Sequence, residues 1–184
     1  CLFCERFTEE ILEACGECPA CRLMRAGTHP DYLTIGLPPG KKVLTVNFFR
    51  GVGETAGREG LVYDLRLKPM KGARRVAVID DAHCMNETSS NVFLKTLEEP
   101  PPSSLLILIT SDVDSLLPTI RSRCQQILFS PLADGDVSQL ILEDPKMTDN
   151  PSEADAVAGL CEGSMATAKN LLAPGLREMR SRLY

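Results

Sequence analysis

The alternation of apolar runs and helical patterns along the chain predicts an α/β fold. Two continuous apolar runs, Val76–Ile79 and Leu105–Ile109, are typical of parallel strands covered on both faces. Tyr32–Ile35 and Gln125–Phe129 are shorter patterns that we interpret as further strands. Between the two main runs, residues 86–98 place apolar side chains on one helical face, and a run of prolines ends that helix. The pattern therefore indicates a parallel sheet flanked by helices.

The remaining segments predict a second, helical part. Residues 37–57 are interrupted by Gly and Pro and are interpreted as an extended connection, and residues 58–67 as a helix leading to the central strand. After Pro131 the chain changes to short helical patterns separated by Pro and Gly, at 136–142, 153–161 and 164–172. We predict a core domain over 1–131 and a small helical domain over 132–184. The second domain ends in the start of a further helix.

Composition narrows the possible functions. The 184 residues carry a net charge of −5, with a pI near 5.1, which argues against a chain that grips DNA alone because phosphate binding needs a basic surface. No apolar run approaches the roughly 18 residues of a membrane span, and no signal peptide is present, so we expect a cytoplasmic protein without membrane contacts. The chain begins at Cys1 and its first methionine is Met24, so we interpret it as a fragment or as a sequence whose start was assigned too late.

Five of the eight cysteines fall within the first 21 residues. Cys15, Cys18 and Cys21 form a C-x2-C-x2-C cluster, and three close cysteines at a turn that enters a helix can supply three ligands of a tetrahedral zinc ion. The fourth ligand must come from upstream, from Cys4 or Cys1. Four sulfurs would leave no open position, so the metal would be structural. The alternative is a reduced, metal-free cysteine cluster in a loop.

Polar side chains follow both main strands. Asp80 and Asp81 end the first strand, Thr110 follows the second, and Arg123 lies farther along the chain. Ligands of open α/β sheets bind at the carboxyl ends of the strands. Acids and a hydroxyl at these positions, with an arginine beyond, are typical of one half of a nucleoside-triphosphatase core. No G-x-x-x-x-G-K-[ST] phosphate loop occurs in the sequence.

Three segments resemble the bacterial DNA polymerase III clamp-loader family. They are VIDDAH at 78–83, NVFLKTLEEPP at 91–101 and SRC at 122–124. The resemblance is to the δ′ subunits first, with the γ/τ subunits as near relatives. It implies an AAA+-type parallel sheet flanked by helices, truncated at its N-terminus, with a zinc-binding module over 1–30 and a small helical lid domain. Because Leu2-Phe3-Cys4 matches the family context of the first ligand, the resemblance favours Cys4 over Cys1.

The resemblance also assigns roles to the strand-end residues. It implies that Arg123 is an arginine finger that acts in trans on the ATP site of the adjacent subunit. Asp80 and Asp81 lie at the positions of the acids that hold Mg²⁺, and Thr110 at that of the first sensor. Family ATPases carry Glu at the place of Asp81 and a sensor arginine at the place of Ala166. No intrinsic catalysis is therefore expected. The alternatives are acids that persist at a strand end without a metal, and a surface arginine at 123.

The functional hypothesis is thus a δ′-like subunit of the loader that places the sliding clamp on primed DNA during replication. The expected cofactors are structural Zn²⁺ and, at the neighbouring subunit's site, ATP with Mg²⁺. The expected partners are the γ/τ and δ subunits, the clamp and, through the complex, primed DNA. The alternatives are a γ/τ-type ATPase motor subunit and a stand-alone zinc-dependent nucleic-acid-binding module. The acidic composition disfavours the stand-alone module.

Overall fold

The computed structural model describes residues 2–7, 13–53 and 56–173. Within it, the chain divides into two compact units between Gln126 and Ile127. The predicted boundary between 131 and 132 remains a prediction. The further helix predicted from residue 177 onward lies outside the described residues, as does Cys1.

A parallel sheet forms the centre of the first unit. It contains β1 (Tyr32–Ile35), β2 (Arg75–Ile79) and β3 (Ser104–Leu108) in that spatial order. All five residues of β2 are buried, as its continuous apolar run predicts for a central strand. In the register, Val76 lies between Tyr32 on one side and Leu105 on the other. The carboxyl ends of the three strands therefore meet at one edge of the sheet.

The helices of this unit are short except for one. They are α1 (Pro19–Arg25), α2 (Asn47–Arg50), α3 (Leu61–Arg66), α4 (Glu87–Glu98) and α5 (Pro118–Arg121), and a 3-10 turn (Ala82–Cys84) follows β2. The start of α4 is fixed by Asn86, whose side chain accepts a hydrogen bond from the backbone N–H of Ser89. Prolines follow its end. The buried core joins α2, α3 and α4 to the sheet, and the rings of Phe49 and Phe93 lie 5.4 Å apart at its centre.

The interpretation of residues 37–57 as an extended connection was wrong. The segment contains α2, and Leu44 and Phe49 are fully buried in the core. Leu44 also donates its backbone N–H to Cys84. These two side chains attach the segment to the core. Its Gly and Pro residues interrupt the hydrophobic pattern, so the sequence shows no helical periodicity there. Burial of one such side chain is worth about 1.5–3 kcal/mol and favours this packed arrangement.

The predicted strand at Gln125–Phe129 was also wrong. These residues form no strand, and Ile127, Leu128 and Phe129 are 72%, 83% and 91% exposed. A strand needs a neighbour that takes up its backbone N–H and C=O groups. No strand of the described ranges pairs with this segment. An apolar run alone therefore does not form a strand here.

Over its described residues, which end at 173, the second unit is a small cluster of three helices. It contains α6 (Asp134–Glu143), α7 (Pro151–Ala158) and α8 (Met165–Leu171), in agreement with the three predicted helical patterns. Its core is formed by side chains such as Val137, Ile141 and Val157, all fully buried. Within the described ranges, no helix has the length and apolar character needed to cross a membrane.

Candidate functional site

Four cysteine sulfurs converge near the start of the chain. The Sγ atoms of Cys4, Cys15, Cys18 and Cys21 all lie within 4.8 Å of one another, and those of Cys15 and Cys21 are 3.9 Å apart. A tetrahedral ion with bonds of about 2.3 Å would place its sulfur ligands about 3.8 Å apart. The donor set and its spacing therefore fit a four-thiolate metal site. Cys1, the alternative fourth ligand, lies outside the described residues.

The backbone also favours thiolates at part of this cluster. The N–H of Cys15 donates to Cys4 Sγ at 3.5 Å, and this bond is the largest cause that lowers the pKa of Cys4 to about 6, with further backbone bonds from Arg6 and Phe7 acting against burial. Backbone hydrogen bonds from Glu5 and then Cys21 lower the pKa of Cys18. The pKa of Cys21 is raised to about 11, first by its side-chain hydrogen bond with Cys18 and then by burial. Because a metal binds the thiolates, its binding would release protons and strengthen with pH.

Local sequence positions these sulfurs. Pro19 begins α1, and Cys18 caps it by accepting the N–H of Cys21 at 3.4 Å. Gly27 follows the helix with a φ of 68°, a conformation that glycine adopts without strain. Arg25 donates to the carbonyl of Gly16 at 3.1 Å and closes the turn that precedes the helix. The predicted arrangement of the cluster around a helix start is confirmed.

A buried carboxylate ties the strand after this module to a distant loop, and sequence reasoning missed it. Asp31 is fully buried and accepts the backbone N–H groups of Met70, Lys71 and Gly72 at 2.7–2.8 Å. The guanidinium of Arg75 lies 3.9 Å away. Burial alone would raise the pKa of Asp31, but the three hydrogen bonds and Arg75 outweigh it and hold the pKa below its usual range.

His29 connects the cysteine module to this carboxylate. Its ring stacks on Phe3, with centroids 4.1 Å apart, and its Nδ1 accepts the N–H of Asp31 at 3.2 Å. His29 therefore packs within the turn that precedes β1. Burial lowers its pKa, so the ring is neutral, and Nε2 is buried with no hydrogen-bond partner among the described residues. Phe3, next to Cys4, thus contacts the turn that leads into β1.

Replacing Asp31 with asparagine should destabilise the fold by about 3–5 kcal/mol, the usual cost of removing one partner of a buried ion pair. The amide cannot accept all three N–H groups. Chemical denaturation should measure the loss, with exposed Asp149→Asn as the matched control that changes little. Because the folded pKa is depressed, the difference should be full above about pH 4 and vanish as the pH falls through the folded pKa. A difference that is independent of pH would contradict this account.

The strand-end residues lie together at the carboxyl edge of the sheet. Asp80 is exposed and accepts the N–H of Asp81 at 2.9 Å, and Asp81 adopts a left-handed φ of 51°. Across the edge, Thr110 Oγ1 lies 3.3 Å from His83 Nδ1. Gly36 follows β1, and a Cβ there would lie 3.3 Å from the Cβ of Asp80. His83 was not singled out from the sequence, although it stands two residues after Asp81.

Arg123 lies beyond the end of α5 and is held on two sides. Its Nη2 donates to Glu98 at 2.8 Å and its Nη1 to the carbonyl of Thr119 at 2.9 Å. The neighbouring cation, Arg121, pairs instead with Asp114 at 3.0 Å. Sequence reasoning missed Glu98, which lies within the segment at 91–101 but carries no signal there of a contact with Arg123. The roles predicted for Arg123 and for the strand-end residues remain predictions.

The second sensor-like position lies in the other unit. Ala166 is exposed in the first turn of α8, whose start is capped by Ser164 through the N–H of Thr167 at 3.3 Å. A methyl group carries no charge and donates no hydrogen bond, so this position cannot contact a phosphate as an arginine would.

A family model described as DNA polymerase III, delta subunit, matches residues 1–133. The DNA polymerase III subunit delta′ of Pseudomonas aeruginosa is 36% identical over an alignment of 184 positions that covers 99% of this chain and 52% of that protein. The subunit delta′ of Escherichia coli is 37% identical over 65% of this chain and 33% of its own length. The subunit tau of the same organism is 31% identical over 85% of this chain and 23% of its own length. The chain thus spans about half or less of these relatives.

Solved structures agree on the fold. A gamma-subunit-related protein of Thermotoga maritima superposes with a TM-score of 0.50 at 24% identity, over 84% of this chain and 47% of that one. The Holliday junction branch migration motor RuvB of the same organism reaches 0.54 at 18% identity, over 89% of this chain and 60% of that one. The predicted AAA+-type sheet is therefore confirmed, and so is the predicted family resemblance.

Proposed function

The chain belongs to the family described as DNA polymerase III, delta subunit, and from this premise we propose that it is part of a δ′-type subunit of the clamp loader. In this proposal the complex opens the sliding clamp and places it on primed DNA during replication. The subunit acts in the cytoplasm, beside the γ/τ and δ subunits. It provides a rigid scaffold and a trans-acting arginine, and it does not hydrolyse ATP itself.

The presentation of Arg123 supports this function most directly. The side chain is 37% exposed, and it is oriented by Glu98 and by the carbonyl of Thr119. A guanidinium is always charged and matches phosphate oxygens with a rigid fork of donors. Supplied in trans, such an arginine stabilises charge on the transferring phosphoryl group of the neighbour's ATP, bound there with Mg²⁺. The chain's own contribution is to present this cation at a surface.

Two departures support a role without ATP hydrolysis in this subunit. Asp81 is one methylene shorter than the glutamate that the family's ATPases carry, so it would reach a catalytic water poorly. Ala166 stands where those ATPases carry a sensor arginine. Asp80 and Asp81 then remain as Walker-B-like acids, and Thr110 as a sensor-like hydroxyl, without a catalytic cycle of their own.

The four-cysteine cluster would hold Zn²⁺ in a structural role. Cys4, Cys15, Cys18 and Cys21 supply four soft donors at tetrahedral spacing, and the ion would cross-link them without an open coordination position. Order at the metal site would also support the turn before β1, because Phe3, next to Cys4, stacks on His29. The function of the ion is to order the module.

A γ/τ-type motor subunit is the second candidate. Relatives named gamma and tau share 30–31% identity with most of this chain, and the strand-end acids are present. The two candidates differ in what the subunit does alone. A motor subunit hydrolyses ATP by itself, and Asp80→Asn abolishes that activity. A δ′-type subunit shows no ATP hydrolysis by itself, with or without this substitution.

Reconstitution tests the proposal. The full-length subunit that contains this chain is combined with the motor and δ subunits, and clamp loading on primed DNA is followed by a fluorescent clamp. We expect loading that is lost when this subunit is omitted, and no ATP turnover above background by the subunit alone. Loading that proceeds equally without it, or turnover by it alone that Asp80→Asn abolishes, would contradict the assignment.

A further inference from the structure

An ion pair joins the end of α4 to the arginine beyond α5. Glu98 is the last residue of α4, and its Oε1 lies 2.8 Å from Arg123 Nη2. The two residues are 25 positions apart in the chain. Their side chains are 44% and 37% exposed, so the pair lies at the surface and is accessible to a neighbouring molecule.

The second contact fixes the orientation of the guanidinium. Arg123 Nη1 donates to the carbonyl of Thr119 at 2.9 Å and lies 3.4 Å from Ser122 Oγ. Of the five N–H donors of a guanidinium, the three hydrogen bonds occupy at most three. At least two donors therefore remain for an oxygen of another molecule while the group is held in place.

The position of Glu98 is unfavourable for its own helix. Carbonyl groups at a helix C-terminus repel an acidic side chain, and Glu99 adds a second negative charge there. A half-exposed ion pair stabilises a fold only weakly, because water screens it. The main effect of the contact is therefore to restrict the rotamers of Arg123 rather than to stabilise the unit.

We propose that Glu98 is the positioning residue of the arginine finger. This inference rests on the proposed trans role of Arg123 and identifies the group that orients it. A long arginine side chain free in solvent would have to be ordered at each turnover, whereas Glu98 and the Thr119 carbonyl order it beforehand. The carboxylate and the carbonyl hold the guanidinium while at least two of its N–H donors stay available for the phosphate at the neighbouring subunit.

The test uses the full-length subunit in the reconstituted loader, with Glu98→Ala, Glu98→Gln and Arg123→Ala. Glu99→Gln is the matched control, because it removes the same charge one residue away and Glu99 forms no ion pair within the described ranges. We expect Glu98→Ala to lower the kcat of the Arg123-dependent ATPase on the order of tenfold, with little change in KM for ATP. Glu98→Gln, which keeps an acceptor oxygen, should lose less, and Glu99→Gln should match the wild type.

The double variant separates positioning from a structural role. If Glu98 acts only through Arg123, Glu98→Ala in the Arg123→Ala background should cause no further loss. The proposal would be overturned by additive losses of turnover in the double variant. It would also be overturned if Glu99→Gln lowered turnover as much as Glu98→Ala does, or if Glu98→Ala raised turnover. Wild-type turnover in Glu98→Ala with reduced turnover in Arg123→Ala would also overturn it and leave the finger itself intact. Wild-type turnover in both variants would instead refute the trans role proposed above.

Discussion

Replacing Arg123 with alanine is expected to lower ATP hydrolysis at the adjacent site of the assembled loader by about 10³-fold or more, the usual effect of losing an arginine finger. The complex as a whole should lose only part of its turnover, because other sites keep their own arginines. Folding should be unaffected, since the half-exposed pair with Glu98 contributes at most about 1 kcal/mol. Phosphate release stimulated by clamp and primed DNA is the measurement, made on purified complexes of verified stoichiometry.

Arg121→Ala provides the matched control for this experiment. Arg121 lies two residues away and pairs with the exposed Asp114, so its loss should leave turnover close to that of the wild type. Arg123→Lys should rescue poorly, because an ammonium group cannot reproduce the planar fork. Wild-type turnover by a correctly assembled Arg123→Ala complex would make Arg123 a structural residue.

Replacing Cys15 with serine is expected to remove the bound metal. Purified chain should contain about one zinc ion per molecule. Loss of a group that only supports a metal ligand lowers the affinity for zinc about 10–100-fold, and loss of a ligand itself should lower it by more. A hydroxyl is a poor ligand for zinc at neutral pH, and the other three sulfurs cannot complete a tetrahedron. The loss should loosen the turn before α1 and, through the Phe3–His29 stack, lower the melting temperature.

Cys84→Ser is the control for the metal prediction, because Cys84 stands outside the cluster and should retain full zinc content. Cys4→Ser should behave as Cys15→Ser does. Unchanged zinc content and folding in Cys15→Ser would refute the metal site. If replacing Cys1 removed the metal and replacing Cys4 did not, the fourth zinc ligand would be Cys1 instead of Cys4.

The parts of the fold that the sequence predicted are those determined by local physics. The buried run of β2 could be identified from its apolar residues, and α4 from its periodicity and the prolines after it. The spacing of Cys15, Cys18 and Cys21 likewise pointed to one site, whereas the choice of Cys4 as fourth ligand came from the family resemblance. Each of these inferences needs only residues within about one helix or one turn.

The parts that escaped prediction depend on distant partners. Asp31 reads as an ordinary acid before a strand, and its role appears only through N–H groups about 40 residues away. Glu98 likewise acquires its role from Arg123, on a different element. The strand predicted from the apolar residues 127–129 was wrong for the opposite reason. The apolar pattern is local, but a strand requires a neighbouring strand to pair with. Tertiary contacts, rather than composition, decide these three cases.

The most direct test of the trans role uses loaders in which one motor subunit at a time can hydrolyse ATP, the others carrying a substituted phosphate-loop lysine. Each is assembled with the wild-type or the Arg123→Ala subunit, and ATP turnover is measured with clamp and primed DNA. The account predicts that Arg123→Ala abolishes turnover when the single competent site adjoins this subunit and has no effect when it lies elsewhere in the ring. Equal turnover of wild type and variant at every position would contradict it.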